Sequence, residues 1–515
     1  MKRLFTLLLA GLLWGALAAP AGAVDFRIKG QWWMGFTLWD TQFTRETRKG
    51  DIRNKTTDDR FDATQRIRLQ LEAVASEALS ATVQFQWGGT VWGQARSGGA
   101  LGADGTITKV RQAYLDFTPP DLPLKTRMGI HFLTLPNAAG GPAVLDERMA
   151  GISTSFELNE HAGITAFWGR PFNDNYPGRE AHGMANYHAD YLDNMDLFAL
   201  ILPLNFDGLA VSPWAMYGFQ GRNAFRAASA DDQYWMAGSP IYTLRPYPAT
   251  MPGNMDYPYG ASTNKAWGSM FWAGLPVIWS CLDPWNVEFD FNYGLVEPMG
   301  RYTATKYAGP GHDIPEERRA STRREGWLVK ALVEYKLDWG VPGVLGWYAS
   351  GDDGNPKNGS ERMPSVVPWG NFTSFMGDGN LGWKWQDLNV SYAGTWGAGI
   401  QVRDMSFISD LTHTFRAVWW GGTNSPSMVK YMDTAYAWEN GSDGFNGPYM
   451  TTNDGFLEFN LVNIYRMYEN FDINLELGYI ANFMDNDTWK KAGRRDSSFE
   501  KQDRWKCQLV FAYSF

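Results

Sequence analysis

The sequence predicts an all-β fold: a transmembrane antiparallel β-barrel of about 18 strands, with about 16 as the alternative. Three observations predict it. First, the closing stretch places Trp505, Cys507, Leu509, Phe511, Tyr513 and Phe515 on one face and Lys506, Gln508, Val510, Ala512 and Ser514 on the other. That period of two is what a strand shows when one face meets an apolar medium and the other a wetter one. Second, beyond residue 23 no segment offers the 18 or more uninterrupted apolar residues of a helical span. The chain is nevertheless hydrophilic on average, as barrels are when lipid-facing and lumen-facing residues alternate. Third, strand and turn signals recur at similar spacing to the last residue, with no linker, low-complexity tract or charge block, so 515 residues read as one domain.

Residues 1–23 read as a cleaved secretory signal. Lys2 and Arg3 precede an apolar run from Leu4 to Ala19, followed by Pro20 and the small-x-small site Ala21-Gly22-Ala23. The run is shorter than the roughly 20 residues that cross a bilayer. The barrel domain is therefore expected over residues 24–515.

The first strand, Val24 to Leu38, repeats the pattern of the last. Phe26, Ile28, Trp32, Met34, Phe36 and Leu38 take one face, and Arg27, Lys29, Gln31 and Thr37 the other. The two can pair and close the barrel, which leaves no strand edge unsatisfied in hydrocarbon. A polar loop follows over residues 39–61. Arg66 to Ala75 then sets Ile67, Leu69, Leu71 and Ala73 outward against Arg66, Arg68, Gln70 and Glu72, and after a tight turn at Ser76 to Ser80 the outward face resumes with Ala81, Val83, Phe85 and Trp87. Further short turns are expected near Pro119, Asn159, Asn205, Trp279, Trp339, Ser406 and Asn470. Clear later strands are Val287 to Leu295, Trp327 to Leu337 and Ile473 to Ala481. The 25 Trp, 23 Tyr and 30 Phe suit rings seated where a membrane meets water.

Four stretches carry a family resemblance: Trp92-Gly93-Gln94, Ser97 to Gly105, Arg111-Gln112-Ala113-Tyr114-Leu115-Asp116-Phe117, and Trp168-Gly169-Arg170-Pro171-Phe172-Asn173-Asp174-Asn175-Tyr176. In these the chain resembles the outer-membrane homotrimeric porins of sulfate-reducing bacteria. The resemblance covers the mature chain and is strongest in its first third. It implies a barrel in the cell outer membrane with long extracellular loops and short periplasmic turns, assembled as a homotrimer in outer-membrane lipid. It also implies passive diffusion of small hydrophilic solutes and ions, and recognition of the terminal Phe515 by the outer-membrane assembly machinery. The early strand order also resembles the enterobacterial general porins, whose third long loop folds into the barrel. The corresponding connection here, Leu135 to Met149, carries Pro136, Gly140-Gly141-Pro142, Asp146 and Glu147 but lacks their Pro-Glu-Phe-Gly-Gly run.

A pore needs a wet lumen, a narrow point and a pattern of charge there, and no catalytic constellation. Arg27, Lys29, Arg66, Arg68 and Arg127 fall on inward parity, and Arg111 joins them in the register the resemblance suggests. Asp146 and Glu147 would face them from the infolded loop. Such an arrangement sets a transverse field, and an excess of arginine lowers the barrier for anions. The plainer alternative is that these cations are solvated lumen residues balanced by Glu72, Glu157, Glu288, Asp290 and Glu334. A substrate-selective channel, for sugars or anions, is a second reading, supported by the loop aromatics Trp369-Gly370-Asn371-Phe372 and Trp383-Lys384-Trp385.

Other classes find little support. The histidines His131, His161, His182, His188, His312 and His413 belong to no nucleophile motif and have no metal-ligand spacing. Asp352-Asp353, Asp378 and Asp485-Asn486-Asp487 are turn-forming and complete no calcium loop. No phosphate-cradling glycine loop or dinucleotide fingerprint occurs, so no cofactor is expected, and the net charge of −9 argues against nucleic acid. Cys281, near a turn, and Cys507, on the outward face of the last strand, are expected as lone thiols.

Overall fold

The computed structural model describes residues 24–40, 44–46, 59–95, 98–102, 108–173, 194–221, 262–263, 265–306, 316–376, 391–431, 449–490 and 499–515. The signal-peptide reading of residues 1–23 lies outside them, as do His182, His188, His312, Asp378 and Trp383 to Trp385.

Among the described residues the main sheet is one closed antiparallel barrel. Its strands are β1 (Asp25–Asp40), β2 (Asp59–Ser76), β3 (Leu79–Val91), β4 (Thr108–Phe117), β5 (Leu124–Thr134), β6 (Asp146–Asn159) and β7 (Ala162–Asn173). There follow β8 (Asn194–Ile201 with Leu204–Phe206), β9 (Leu209–Val211 with Trp214–Gly221), β10 (Trp267–Trp279), β11 (Trp285–Val296), β12 (Arg324–Tyr335) and β13 (Val341–Ala349). The last five are β14 (Thr395–Ile408), β15 (Leu411–Gly422), β16 (Gly455–Tyr468), β17 (Phe471–Asn482) and β18 (Arg504–Ser514). β8 and β9 are each broken by a proline, Pro203 or Pro213, which cannot donate to a ladder. Pairing runs on past both breaks, since Leu202 N–H donates to the Pro213 carbonyl and Gly163 N–H to that of Pro203. The count is therefore 18.

β1 pairs with β2 on one side and closes on β18 on the other, in a register running from Gln31 opposite Ser514 to Trp39 opposite Lys506. At the end of the seam Gly30 and Phe515 exchange backbone hydrogen bonds of 2.7 and 3.0 Å. The Phe515 ring covers the outward side of Gly30, where a Cβ would collide with the ring. An aromatic thus supplies the apolar cover that glycine lacks.

Short turns occur at all eight expected places, and both ends of the barrel chain lie with them at one mouth. The turn expected near Ser406 sits at residues 409–410, because bulges between Val402 and Ile408 insert residues into β14. The loop expected over residues 39–61 begins later and ends earlier: Trp39 lies against Arg60 and donates to Asp62, so the β1–β2 ladder extends to Asp40 and Asp59. Outside the barrel Thr44–Glu46 pairs with Phe499–Lys501, and Gly300–Lys306 pairs with Ser262–Thr263 and Glu316–Ser321.

The outward face is apolar and bounded by two belts of rings. Trp267, Tyr293, Trp327, Tyr348, Tyr479 and Trp505 lie toward the long-loop mouth, and Trp279, Trp285, Tyr335, Tyr465 and Tyr513 toward the short turns. Along β10, Trp267 and Trp279 stand twelve residues apart. At about 3.3 Å per residue and a tilt near 40° that separates the belts by roughly 30 Å, close to the height of a membrane's hydrocarbon core. Cys281 and Cys507 are both free thiols.

The interior is asymmetric. Leu133, Phe167, Met195, Leu197, Trp214, Met216, Trp272, Leu328, Trp347, Val418, Trp420 and Ile480 point inward from β5 to β17 and form a buried apolar core. Loop residues, including Leu135, Val144, Val366, Val367, Phe372 and Phe375, fill its centre. Among the described residues β1 to β4 and β18 contribute nothing to that cluster. The core occupies one side of the barrel, and the β1–β4 wall lies outside it, buried at Thr37, Trp39 and Thr64 and exposed at Lys29 and Gln31.

Candidate functional site

The partition that separates core from open wall consists of two loops. The β5–β6 loop, residues 135–145, crosses the lumen: Ala138 and Ala139 N–H groups donate to Asp290 Oδ2 at 2.7 and 2.8 Å, and Lys330 Nζ donates to the Gly141 carbonyl. Asp290 and Lys330 stand on β11 and β12, 3.5 Å apart and almost fully buried. The β13–β14 loop, described over residues 350–376 and 391–394, lies along the first from Val366 to Asn371. Val366 and Val367 donate to the Val144 carbonyl, Asp146 to Val367, Trp369 to Pro142 and Asn371 to Gly140. Gly140 and Gly141 adopt φ of 67° and 81°. A Cβ at either would strike Phe372, Tyr392 or the Trp369 carbonyl, so both left-handed backbone and close approach require glycine. The expectation that Leu135 to Met149 folds inward holds, with one correction: Asp146 and Glu147 are not on the loop but open β6. The main chain pairs again with β5 as soon as the hairpin can form, Asp146 opposite Thr134 and Glu147 opposite Leu133.

Facing the partition is a polar wall whose rows follow from strand register. Trp33 stands beside Arg66, Gln31 beside Arg68 and Gln86, and Lys29 beside Gln70, Gln84 and Gln112. The glutamines join side by side at 3.3 Å, Gln112 to Gln84 and Gln84 to Gln70. Arg68 donates to Gln86 Oε1 at 3.0 Å, and the Arg66 guanidinium lies 3.9 Å from the Trp33 ring centre. Stacking spreads its charge over an aromatic face.

Arg111 is the extra residue of a bulge, since Gln84 pairs with Gln112 and Phe85 with Val110. β4 pairs with β5 only from Phe117 to Ala113, whereas the β5–β6 ladder runs on to Thr134. Above Ile130 the β5–β6 hairpin therefore has no ladder to β4. Its Arg148, stacked 3.8 Å over Phe132 and 3.4 Å from Glu147 Oε1, comes within electrostatic reach of Arg66, Arg68 and Arg111. The Nε atoms of Arg111 and Arg148 are buried without a hydrogen-bond partner. Four guanidinium groups thus converge between wall and partition, with the Glu147 carboxylate beside them.

The structure brings together Arg66, Arg68, Arg111 and Glu147 of the sequence-predicted set. It does not bring in the others. Arg27 is exposed at the short-turn mouth, bound to Asp25 at 2.9 Å and opposite Glu72. Lys29 is exposed one row below Arg68. Arg127 makes a bidentate pair with Asp116 at 2.7 and 2.8 Å and stacks on Tyr114. Asp146 accepts from Thr134 at 2.6 Å. Sequence parity misses Arg148 because simple alternation turns it away from the lumen. It misses the β13–β14 loop because nothing local marks where a long loop rests. Of the loop aromatics, Phe372 is buried between Trp347 and Tyr392 and is used in packing.

Asp352 and Asp353 behave as turn residues. Asp352 accepts from Ser360, Glu361 N–H and Tyr449, and Asp353 from Asn355 N–H and Asn358. Burial, then the nearby charges of Asp352 and Asp353, push the Glu361 carboxyl up to about 7 from 4.5. The folded loop thus holds a proton that the unfolded loop releases earlier. That stabilisation is full below the unfolded value and is lost as pH rises to about 7. Amide-exchange protection over residues 352–362, corrected for intrinsic exchange, should fall between about pH 5 and 7 by at most about tenfold per unit. Glu361→Gln should flatten the profile at its acid-side level. A wild-type profile that is already flat would rule the titration out.

Among the described residues no cluster suits a metal ion, and no helix is long and apolar enough to cross a membrane. No protein-family model matches the chain, and no curated protein matches it. Solved structures similar to it in fold include Pseudomonas aeruginosa OccK8 (OprE), at 10% identity over 95% of this chain and 98% of that one, with a TM-score of 0.48. Acinetobacter baumannii OccAB4 is similar at 11% identity over 96% and 100%, with a TM-score of 0.47. At such identities no residue's role transfers.

Proposed function

We propose that this chain forms a water-filled channel in the cell outer membrane, through which small hydrophilic solutes and ions diffuse passively, anions more readily than cations. The observation that carries the reading is the polar strip of β1 to β4, outside the apolar core and exposed at Lys29 and Gln31, facing a partition inside a barrel whose outside is apolar. Charge in a narrow wet gap is poorly screened, so Arg66, Arg68, Arg111 and Arg148 would raise the local anion concentration, with Glu147 tempering them. A second reading, an anion-selective channel with a saturable site, is favoured by the two unpartnered guanidinium Nε atoms at that place. Homotrimeric assembly and recognition of Phe515 by the assembly machinery complete the proposal.

Purified protein in planar bilayers decides between them. Conductance rising linearly with salt, with a reversal potential on the anion side, supports diffusion. Saturation by one anion supports the second reading, and silence of well-folded barrels would overturn both. Native mass measurement should find three chains, and removal of Phe515 should lower the yield of barrel in cells more than refolding in detergent.

A further inference from the structure

We infer that the width of the channel is set by a latch on β16 and β18, beside the seam, in which Glu458, Asn460 and Lys506 hold Ser374 and Phe375 of the β13–β14 loop and, through it, keep the β5–β6 loop across the lumen. The inference rests on the channel reading above and adds what fixes its bore.

The β5–β6 loop has no sheet of its own between Leu135 and Leu145. One set of supports is the Asp290 and Lys330 pair described above together with Trp214 on β9, whose Nε1 donates to the Pro136 carbonyl at 3.1 Å. The other is the β13–β14 loop, bonded to it main chain to main chain from Val366 to Asn371. That second loop must itself be held at its far end. Ser374 N–H donates to Asn460 Oδ1 at 3.1 Å, Phe375 N–H donates to Glu458 Oε1 at 3.0 Å, and Lys506 Nζ donates to the Ser374 carbonyl at 2.8 Å. Lys506 also lies 4.7 Å from the Phe375 ring centre and 3.4 Å from Glu476 Oε1. Glu458 and Lys506 are at most 2% exposed.

Burying a carboxylate and an ammonium costs more than an apolar wall of the same volume would, unless each is paired and bonded. Here three side chains on β16 and β18 address consecutive backbone groups of one loop. Apolar packing would hold the loop against the wall but would let it slide, whereas bonds to the Ser374 and Phe375 peptides fix its register. Glu458, Asn460 and Lys506 are therefore positioning residues: they touch no solute, and they act on the arginine gap through two loops in series. Released from them, the partition keeps its supports on β9 to β12, where Trp272 Nε1 also donates to the Pro364 carbonyl and Arg324 Nε to that of Arg362, loses its hold beside the seam and opens away from the β1–β4 wall.

The test compares Lys506→Met with Glu458→Met as a double variant, and Lys506→Arg alone, in full-length barrels shown to be folded by heat-modifiable migration. The double variant should conduct about twofold more, with added current noise and a reversal potential nearer zero. Lys506→Arg, which keeps the donor, should stay at the wild-type level. If only packing mattered the order would reverse, because methionine suits the buried volume better than arginine. Amide exchange gives a readout that does not need conductance: the double variant should expose residues 366–375 and 138–145 together. Unchanged exchange there, or unchanged conductance and noise in conducting folded barrels, would overturn the latch. Silent wild-type barrels whose variant still frees both loops would sink the channel reading alone.

Discussion

Leu509→Arg should destabilise the barrel by about 2–4 kcal/mol, the cost of a cation at the bilayer midplane on a lipid-facing position. Leu509 lies on the seam strand, opposite Phe36 on one side and Leu475 on the other, midway between the ring belts at Trp505 and Tyr513. Its neighbours across both ladders are apolar, so no protein group can take up the charge. Tyr513→Arg, at the belt, should cost only about 0–1 kcal/mol, because its side chain reaches the headgroup layer. Denaturant unfolding from lipid vesicles measures both. Equal costs at the two depths would mean that the outward face of β18 is not in hydrocarbon.

The second large effect is electrical. Replacing Arg66 and Arg68 by Glu changes the charge at the gap by four units. At about 8 Å and a water-like dielectric each unit contributes roughly 0.5 kcal/mol to a passing ion. Together they amount to about 2 kcal/mol for a monovalent ion, roughly thirtyfold against an anion and roughly thirtyfold in favour of a cation. The reversal potential in a salt gradient should therefore cross from the anion to the cation side. Arg148→Glu should shift it in the same direction by about half as much, and Glu147→Lys in the opposite direction. Arg27→Glu should do little, since Arg27 is exposed at the mouth beside Asp25. Salt near 1 M, where screening acts over about 3 Å, should blunt every shift. If folded variants at positions 66 and 68 keep wild-type reversal potentials at low salt, the gap lies elsewhere.

How far the molecule can be read from its sequence depends on how local each determinant is. Strand faces, the β1–β18 seam and the short turns are legible because alternation and turn chemistry act within a few residues. Arg66 and Arg68 are legible for the same reason, alternating with Ile67 and Leu69 along β2. Arg111 owes its place to a bulge, and Arg148 to a hairpin that parts from β4 above Ile130. A shift of one residue or a change in pairing reverses which face a side chain takes. The inner core has a faint signal: Met195, Leu197, Trp214, Met216, Met270 and Trp272 make β8 to β10 apolar on both faces. A barrel strand facing water would not be, and that excess marks the side on which something rests. What rests there is set by long-range bonds such as those of Asp290 and Glu458, which no local pattern encodes.

The one-sided interior separates two quantities usually taken together. Circumference follows from the number of strands, but bore is whatever the filling leaves free. Here the filled side of the enclosed section insulates, and current would follow a crescent along β1 to β4. Changes in gauge can then come from the loops alone, with the hoop of hydrogen bonds and its lipid-facing surface untouched. Strand number measures the housing, and the few peptide bonds of the partition measure what passes.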